Sequence, residues 1–206
     1  MPSEIREREI AEPSAFETFD RLGYVAIPAL LEPALVNFFW SYANTKFASQ
    51  LMTPSSPAVP NSPVSYGDPA FDGLLEHVRP LIEKYSNLRL LPTFSEFRMY
   101  KHGDLLKRHR DPLACEISVS VNIGQTPDDS WPLYVEGTAG PHRAVLKPGD
   151  GLLYRGVDCF HWREPFEGSK LVQAFLFYVD RDGRSANLKF DGRKSLMVQR
   201  RSRLED

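Results

Sequence analysis

His109 and Asp111 stand two residues apart in Arg108-His109-Arg110-Asp111. In an extended backbone, side chains at i and i+2 leave on one face, roughly 6–7 Å apart at Cα. An imidazole and a carboxylate so placed can share one divalent ion. A second imidazole, His161, ends an apolar run after the turn at Pro148-Gly149. Two imidazoles and a carboxylate on one side of an ion leave its other side open. That donor set suits a ferrous centre that must take up further ligands. His-x-Asp alone is a common tripeptide, and a lone histidine is ordinarily surface or core, so the surroundings decide.

The surroundings have an order. Tyr100-Lys-His-Gly-Asp-Leu-Leu-Lys-Arg-His109-Arg-Asp111 sets a Tyr-ended strand, a Gly-Asp turn and His-x-Asp in succession. Pro148-Gly-Asp-Gly-Leu-Leu-Tyr-Arg-Gly156 comes next, and then His161. From about Phe16 to about Asp180 the sequence resembles the Fe(II)/2-oxoglutarate-dependent dioxygenase superfamily. Within it, the nearest resemblance is to small bacterial hydroxylases of the prolyl-hydroxylase and phytanoyl-hydroxylase style. The resemblance implies a mainly β fold with flanking helices, the double-stranded β-helix or jelly roll. It implies Fe(II) held by His109, Asp111 and His161, with 2-oxoglutarate and O2 as cosubstrates and no other catalytic side chain. The implied reaction hydroxylates an unactivated C–H of a small molecule and releases succinate and CO2. The cofactor supplies that chemistry, and the protein orients the reactants and keeps the site dry. Relatives that halogenate have Gly or Ala where the carboxylate sits, so Asp111 points to hydroxylation or desaturation. Small relatives act on amino acids or natural-product intermediates, an association of fold alone.

The distal carboxylate of 2-oxoglutarate needs a cation inside the barrel, and Arg is the preferred fork for it. At the place where the family usually carries a basic residue, this chain has Leu171, with Lys170 one short. Arg163 shares a face with His161 if that strand continues. The expected order is therefore Arg163, then Lys170, then Arg98. Tyr100, on the face of Arg98, is expected beside the cosubstrate as well. Asn122, Trp131, Tyr134 and Trp162 are expected at the substrate.

Elements that position these residues are legible from periodicity. Ser14 with Glu17 reads as a capping box ahead of a short helix that Gly23 ends. Residues 24–28 read as a strand and 31–49 as an amphipathic helix. Residues 53–63 hold Pro54, Pro57, Pro60 and Pro63 and read as a loop, either a plain connector or a lid beside the substrate. A helix over 71–85 places Leu74, Leu75, Val78, Leu81 and Ile82 on one face. In 95–100, Phe97 and Met99 oppose Arg98 and Tyr100. In 116–124, Ile117, Val119, Val121 and Ile123 oppose Glu116, Ser118, Ser120 and Asn122, the clearest strand pattern in the chain. Short strands separated by Gly/Pro turns continue to Val179, as in a barrel or jelly roll. The expected plan is one domain over 1–206, with helices at about 14–88, a barrel at about 89–180 and a polar, solvated tail at 181–206.

Composition narrows the class. At 206 residues, 42% hydrophobic and 25% charged, the chain is a globular domain of ordinary size. A formal net charge of −2 argues against a nucleic-acid partner, and the absence of a long apolar run argues against a membrane one. The charged N-terminus reads as no signal peptide, and Cys115 and Cys159 as two reduced, buried thiols, so a cytoplasmic location is expected. Two rivals remain open. One is a non-catalytic cupin-like module binding metal or ligand on the same barrel. The other is a hydrolase using Zn as a Lewis acid on the same three ligands.

Overall fold

Ser14 opens the first helix, α1 (Ala15–Leu22). Its hydroxyl accepts from the Glu17 amide and the Glu17 carboxylate accepts from the Ser14 amide, which satisfies two N–H groups that lack helical partners. Gly23 ends the helix in the left-handed region, φ +84°, where a side chain is disfavoured. β1 (Tyr24–Ile27) leads to α2 (Pro33–Ala48), where Pro33 lacks only an N–H that would have no helical partner. After β2 (Val64–Tyr66), the Asp68 carboxylate caps α3 (Pro69–Ser86) at the Ala70 amide. α3 buries Leu74, Leu75, Val78 and Ile82, but Leu81 is 37% exposed. Leu81 was expected on the buried face. It falls at the edge of a stripe centred on Leu75, Val78 and Ile82. The computed structural model describes residues 14–54, 59–127 and 131–198.

Eight strands follow: β3 (Leu90–Lys101), β4 (Leu106–His109), β5 (Ile117–Thr126), β6 (Leu133–Gly137), β7 (Gly140–Ala144), β8 (Gly151–Arg155), β9 (Phe160–Arg163) and β10 (Lys170–Asp180). They form a six-stranded sheet, β1-β8-β5-β10-β3-β2, and a four-stranded sheet, β4-β9-β6-β7, every pairing antiparallel. This is the double-stranded β-helix expected from the sequence. Alternation divides each strand of the large sheet between two environments. Phe97, Met99, Ile117, Val119, Val121, Ile123, Val172, Ala174 and Leu176 pack outward in one core with Phe39, Ala43, Phe71, Leu74 and Ile82 of the helices. The opposite row turns inward toward the small sheet. A smaller cluster of Leu133 and Val135 with Leu152 and Tyr154 ties the two sheets together.

The described tail departs from expectation. Residues 181–198 were expected to be a solvated polar end. Instead Ala186–Gly192 forms a 3-10 segment against β3 and β10, and Arg193 enters the fold. Its Nη1 donates to Asp72 Oδ2 at 2.8 Å, with both side chains fully buried, and its Nη2 donates to the Thr93 carbonyl at 3.0 Å. A carboxylate on α3 therefore straps the tail down. The Arg200-Arg201-Ser202-Arg203 run lies outside the described residues. Among the described residues no helix is long and apolar enough to cross a membrane. Cys115 and Cys159 are both buried free thiols.

Candidate metal centre

β4 and β9 lie antiparallel with His109 directly opposite His161. Their rings come within 4.2 Å, centroid to centroid. Asp111 follows β4 and is held there by its own amide, which donates to the Gly156 carbonyl at 2.9 Å. Asp111 Oδ1 lies 3.6 Å from His109 Nε2 and 3.5 Å from His161 Nε2. The three ligand atoms lie within 4.8 Å of one another. These separations are too long for good hydrogen bonds and short enough for one ion to bridge.

The other nitrogen of each imidazole is already committed. His109 Nδ1 faces the Lys107 carbonyl at 2.8 Å, and His161 Nδ1 faces the Cys159 carbonyl at 3.1 Å. A carbonyl only accepts, so Nδ1 carries the proton and Nε2 presents its lone pair to the centre. Asp111 is fixed in the same way, because Ser118 Oγ donates to its Oδ2 at 2.8 Å. Gly156 makes room for it. A Cβ there would stand 2.5 Å from Asp111 Oδ2 and 2.6 Å from Ser118 Oγ, and would collide with the Cys115 carbonyl. Burial works against ionisation of Asp111, yet the facing imidazoles and Ser118 outweigh it and hold the carboxyl at about 2. The Asp111 carboxylate raises the pKa of His109 above the usual imidazole value. His109 is the open side of the trio, 36% exposed, against 9% for Asp111 and 3% for His161. The donor set, its tautomers and its ionised carboxylate fit a divalent ion.

The trio borders a cavity of about 380 Å³. Phe94, Glu96, Arg98 and Tyr100 of β3 line it, with Leu106, Pro112, Cys115, Tyr154, Phe175 and Phe177. Tyr154 lies against His161 at 4.8 Å. Burial pushes the Tyr100 hydroxyl up to about 12 and raises that of Tyr154 well above its ordinary value, so both are neutral donors. Arg98 pairs with Glu96 at 2.7 Å. The described end of the proline-rich loop reaches this neighbourhood: Val59 is buried with Tyr100 and Leu106 and accepts from Arg98 at 3.5 Å.

Arg163 emerges on the inward face of β9, two residues beyond His161, and is 3% exposed. Its Nη1 donates to the Trp131 carbonyl, and its Nη2 donates to Gln173 Oε1 at 3.1 Å. Gln173 in turn donates to Ser120 Oγ at 2.8 Å. The guanidinium lies over the Trp131 ring at 4.6 Å. Each of these partners is neutral. Burial pulls the pKa of Arg163 down to about 10, opposed by the nearby Tyr100 and Tyr154 hydroxyls. Among the described residues it is therefore, at neutral pH, a buried cation between groups of no charge.

Other expected site residues lie elsewhere. Lys170 points out of the barrel, where its Nζ donates to Asn44 Oδ1 at 2.8 Å and lies over Trp40. Alternation turns Leu171 inward in its place. Trp162 and Tyr134 are register partners on the outer face of the small sheet, stacked at 5.3 Å and 10°. The expectation that they contact substrate in the barrel is corrected by strand direction, since His161 and Arg163 hold the inward positions. Asn122 faces inward, but its amide donates to the Leu146 carbonyl at 2.7 Å, away from the metal cavity. Trp131 does not line the metal cavity; it packs on Tyr100, Phe166 and Arg163, with its indole N–H on the Glu164 carbonyl at 2.8 Å. Phe94 and Glu96 were within reach of the sequence, because the Arg98–Tyr100 face extended backwards passes through both. Phe175 and Phe177 sit in an unbroken apolar run, where no alternation marks a face.

No protein-family model matches the sequence, and no curated protein matches it. Solved structures do match in fold. A prolyl-4-hydroxylase of Pseudomonas putida aligns with a TM-score of 0.64 at 17% identity, over 82% of this chain and 98% of its own. The non-haem alpha-ketoglutarate-dependent epimerase SnoN of nogalamycin biosynthesis aligns with a TM-score of 0.68 at 14% identity, over 79% and 78%. HygX of Streptomyces hygroscopicus, with nickel, 2-oxoglutarate and hygromycin B bound, aligns with a TM-score of 0.60 at 17% identity, over 80% and 85%. The chain has the fold of these proteins.

Proposed function

We propose that this protein is an Fe(II)/2-oxoglutarate-dependent oxygenase that hydroxylates a C–H of a small molecule. The observation that carries the proposal is the aim of His109 Nε2 and His161 Nε2 at Asp111 Oδ1, with both Nδ1 atoms tied to backbone carbonyls. Iron and 2-oxoglutarate together supply the oxidation, in which O2 gives one atom to the substrate C–H and one to succinate as CO2 leaves. His109, Asp111 and His161 hold the ion. Arg163, oriented by Gln173, accepts the distal carboxylate of the cosubstrate, and Tyr100 flanks it as a neutral donor. A dicarboxylate supplies the countercharge that the neutral partners of Arg163 lack. That need favours the oxygenase over a zinc hydrolase or a plain metal-binding module, neither of which requires a deep buried cation. Phe94, Phe175 and Phe177 exclude water above the metal. The reading includes a cytoplasmic setting, a small-molecule substrate and no nucleic-acid or membrane partner. In it Val59 packs beside Tyr100 at the cosubstrate end of the site.

Succinate release from 2-oxoglutarate under air tests this. The wild type with Fe(II) converts the cosubstrate, and Asp111→Ala loses conversion while keeping its circular dichroism spectrum. Unchanged conversion in Asp111→Ala refutes the ligand set.

A further inference from the structure

The cavity's walls also bear on what it takes in. The inward row of β3 runs from Tyr100 through Arg98 and Glu96 to Phe94. Its register with β10 places Phe175 beside Glu96 and Phe177 beside Phe94. The Phe94 and Phe177 rings are 4.6 Å apart, and those of Phe175 and Phe177 are 6.3 Å apart and nearly parallel, at 5°. Tyr66 supports Phe94 at 4.8 Å. Three rings thus form one wall of the cavity that the metal trio borders. Phe94 and Phe175 are only partly buried, so ring surface stands open to an incoming molecule. Open apolar surface of this kind inside a cleft marks a binding site.

Charge selects further. Glu96 and Arg98, the remaining charged groups of the wall, are paired with each other at 2.7 Å. A divalent ion with Asp111, and a dianionic cosubstrate with Arg163, also cancel among themselves. A substrate ion entering this cavity would lose its water and find every countercharge taken, which is costly. A neutral ring would lose nothing and would gain edge-on or offset contacts with the phenyl wall.

We propose that the substrate is an uncharged, planar ring compound. It lies against Phe94, Phe175 and Phe177 and is hydrogen-bonded through a polar ring substituent to the Glu96–Arg98 pair. The proposal rests on the oxygenase reading for the site and adds the substrate class.

The test is calorimetric titration at pH 7 of the Zn(II)-loaded protein with 2-oxoglutarate present. Three probes share one ring system: 2-naphthol, 2-naphthoate and 2-naphthylmethylammonium. The expected result is that 2-naphthol binds at least about tenfold more tightly than either ion. Phe94→Ala and Phe177→Ala weaken it, and bound zinc in each variant reports that the metal site is still folded. Glu96→Gln removes the carboxylate that lies 2.7 Å from Arg98 and turns the preference toward 2-naphthoate, a gain that misfolding cannot produce. Equal or tighter binding of an ion by the wild type overturns the proposal, as does failure to bind any of the three at millimolar concentration. An unchanged preference in Glu96→Gln overturns it as well. The oxygenase reading fails separately. Binding of 2-naphthol by a protein that takes up no 2-oxoglutarate sinks that reading alone.

Discussion

Arg193 and Arg163 are both buried, yet they meet opposite surroundings. Arg193 meets the carboxylate of Asp72 at 2.8 Å, and Asp72 also accepts from Ser95 Oγ at 2.7 Å and from the Met197 amide at 2.8 Å. That cluster joins α3, β3 and the tail with its charges closed. Arg163 meets a carbonyl, an amide oxygen and an indole ring, and among the described residues no carboxylate meets its charge. A buried cation with a carboxylate is explained by the fold. One without a carboxylate is explained by a ligand that brings its own. The first belongs to stability, the second to function, and the two can be separated by substitution.

The largest effect is expected on the closed side. Asp72→Ala strands the Arg193 guanidinium and should lower stability by about 3–5 kcal/mol, read from the urea midpoint. A loss under about 1 kcal/mol would mean that the tail detaches without consequence, and that the cluster does not organise the fold. Arg163→Gln should behave differently. It removes an uncompensated charge, so stability should hold or rise. The affinity for 2-oxoglutarate should fall by about 2 kcal/mol or more, about thirtyfold in Kd, by calorimetry on the zinc-loaded protein. If the two variants look alike, with both unstable and both binding cosubstrate normally, the contrast between the arginines is wrong.

Gly156→Ala is a smaller intervention at the metal. Its methyl group presses on Asp111 and Ser118, and metal affinity should fall about 10–100-fold, as for lost support behind a ligand. Competition with a chromogenic chelator measures it, and an unchanged affinity would show that Asp111 does not need its present position. The smallest effect is expected from Lys170→Ala, which should leave 2-oxoglutarate affinity within about 0.5 kcal/mol. A loss as large as that of Arg163→Gln would reverse the choice of cation.

Much of this was legible in the sequence, for reasons that differ by residue. The metal trio was legible because His-x-Asp is local and His161 lies in a turn-bounded strand of clear order. The inward direction of Arg163 followed from alternation with His161. The inner and outer rows of β5 followed from strict alternation between apolar and polar residues. Tyr134 and Trp162 were expected at the substrate, but strand alternation from His161 and Arg163 turns them to the outer face of the small sheet. Lys170 stands one residue short of the family position, which in a strand is a change of face, and it points outward. The tail misled because Arg193 looks solvated until Asp72, far away in sequence on α3, is brought beside it. The phenyl wall depends on the register of β3 with β10, a long-range pairing that local pattern does not carry.

The central claim is that one cavity holds both a metal on His109, Asp111 and His161 and a 2-oxoacid on that metal. An anaerobic titration tests it most directly. Fe(II) and then 2-oxoglutarate are added to metal-free protein while the visible spectrum is recorded. The account predicts a weak charge-transfer band from the chelated 2-oxoacid, saturating at one equivalent of iron and absent in His109→Ala. Iron binding with no band would contradict the cosubstrate assignment, and an unchanged band in His109→Ala would contradict the metal centre itself.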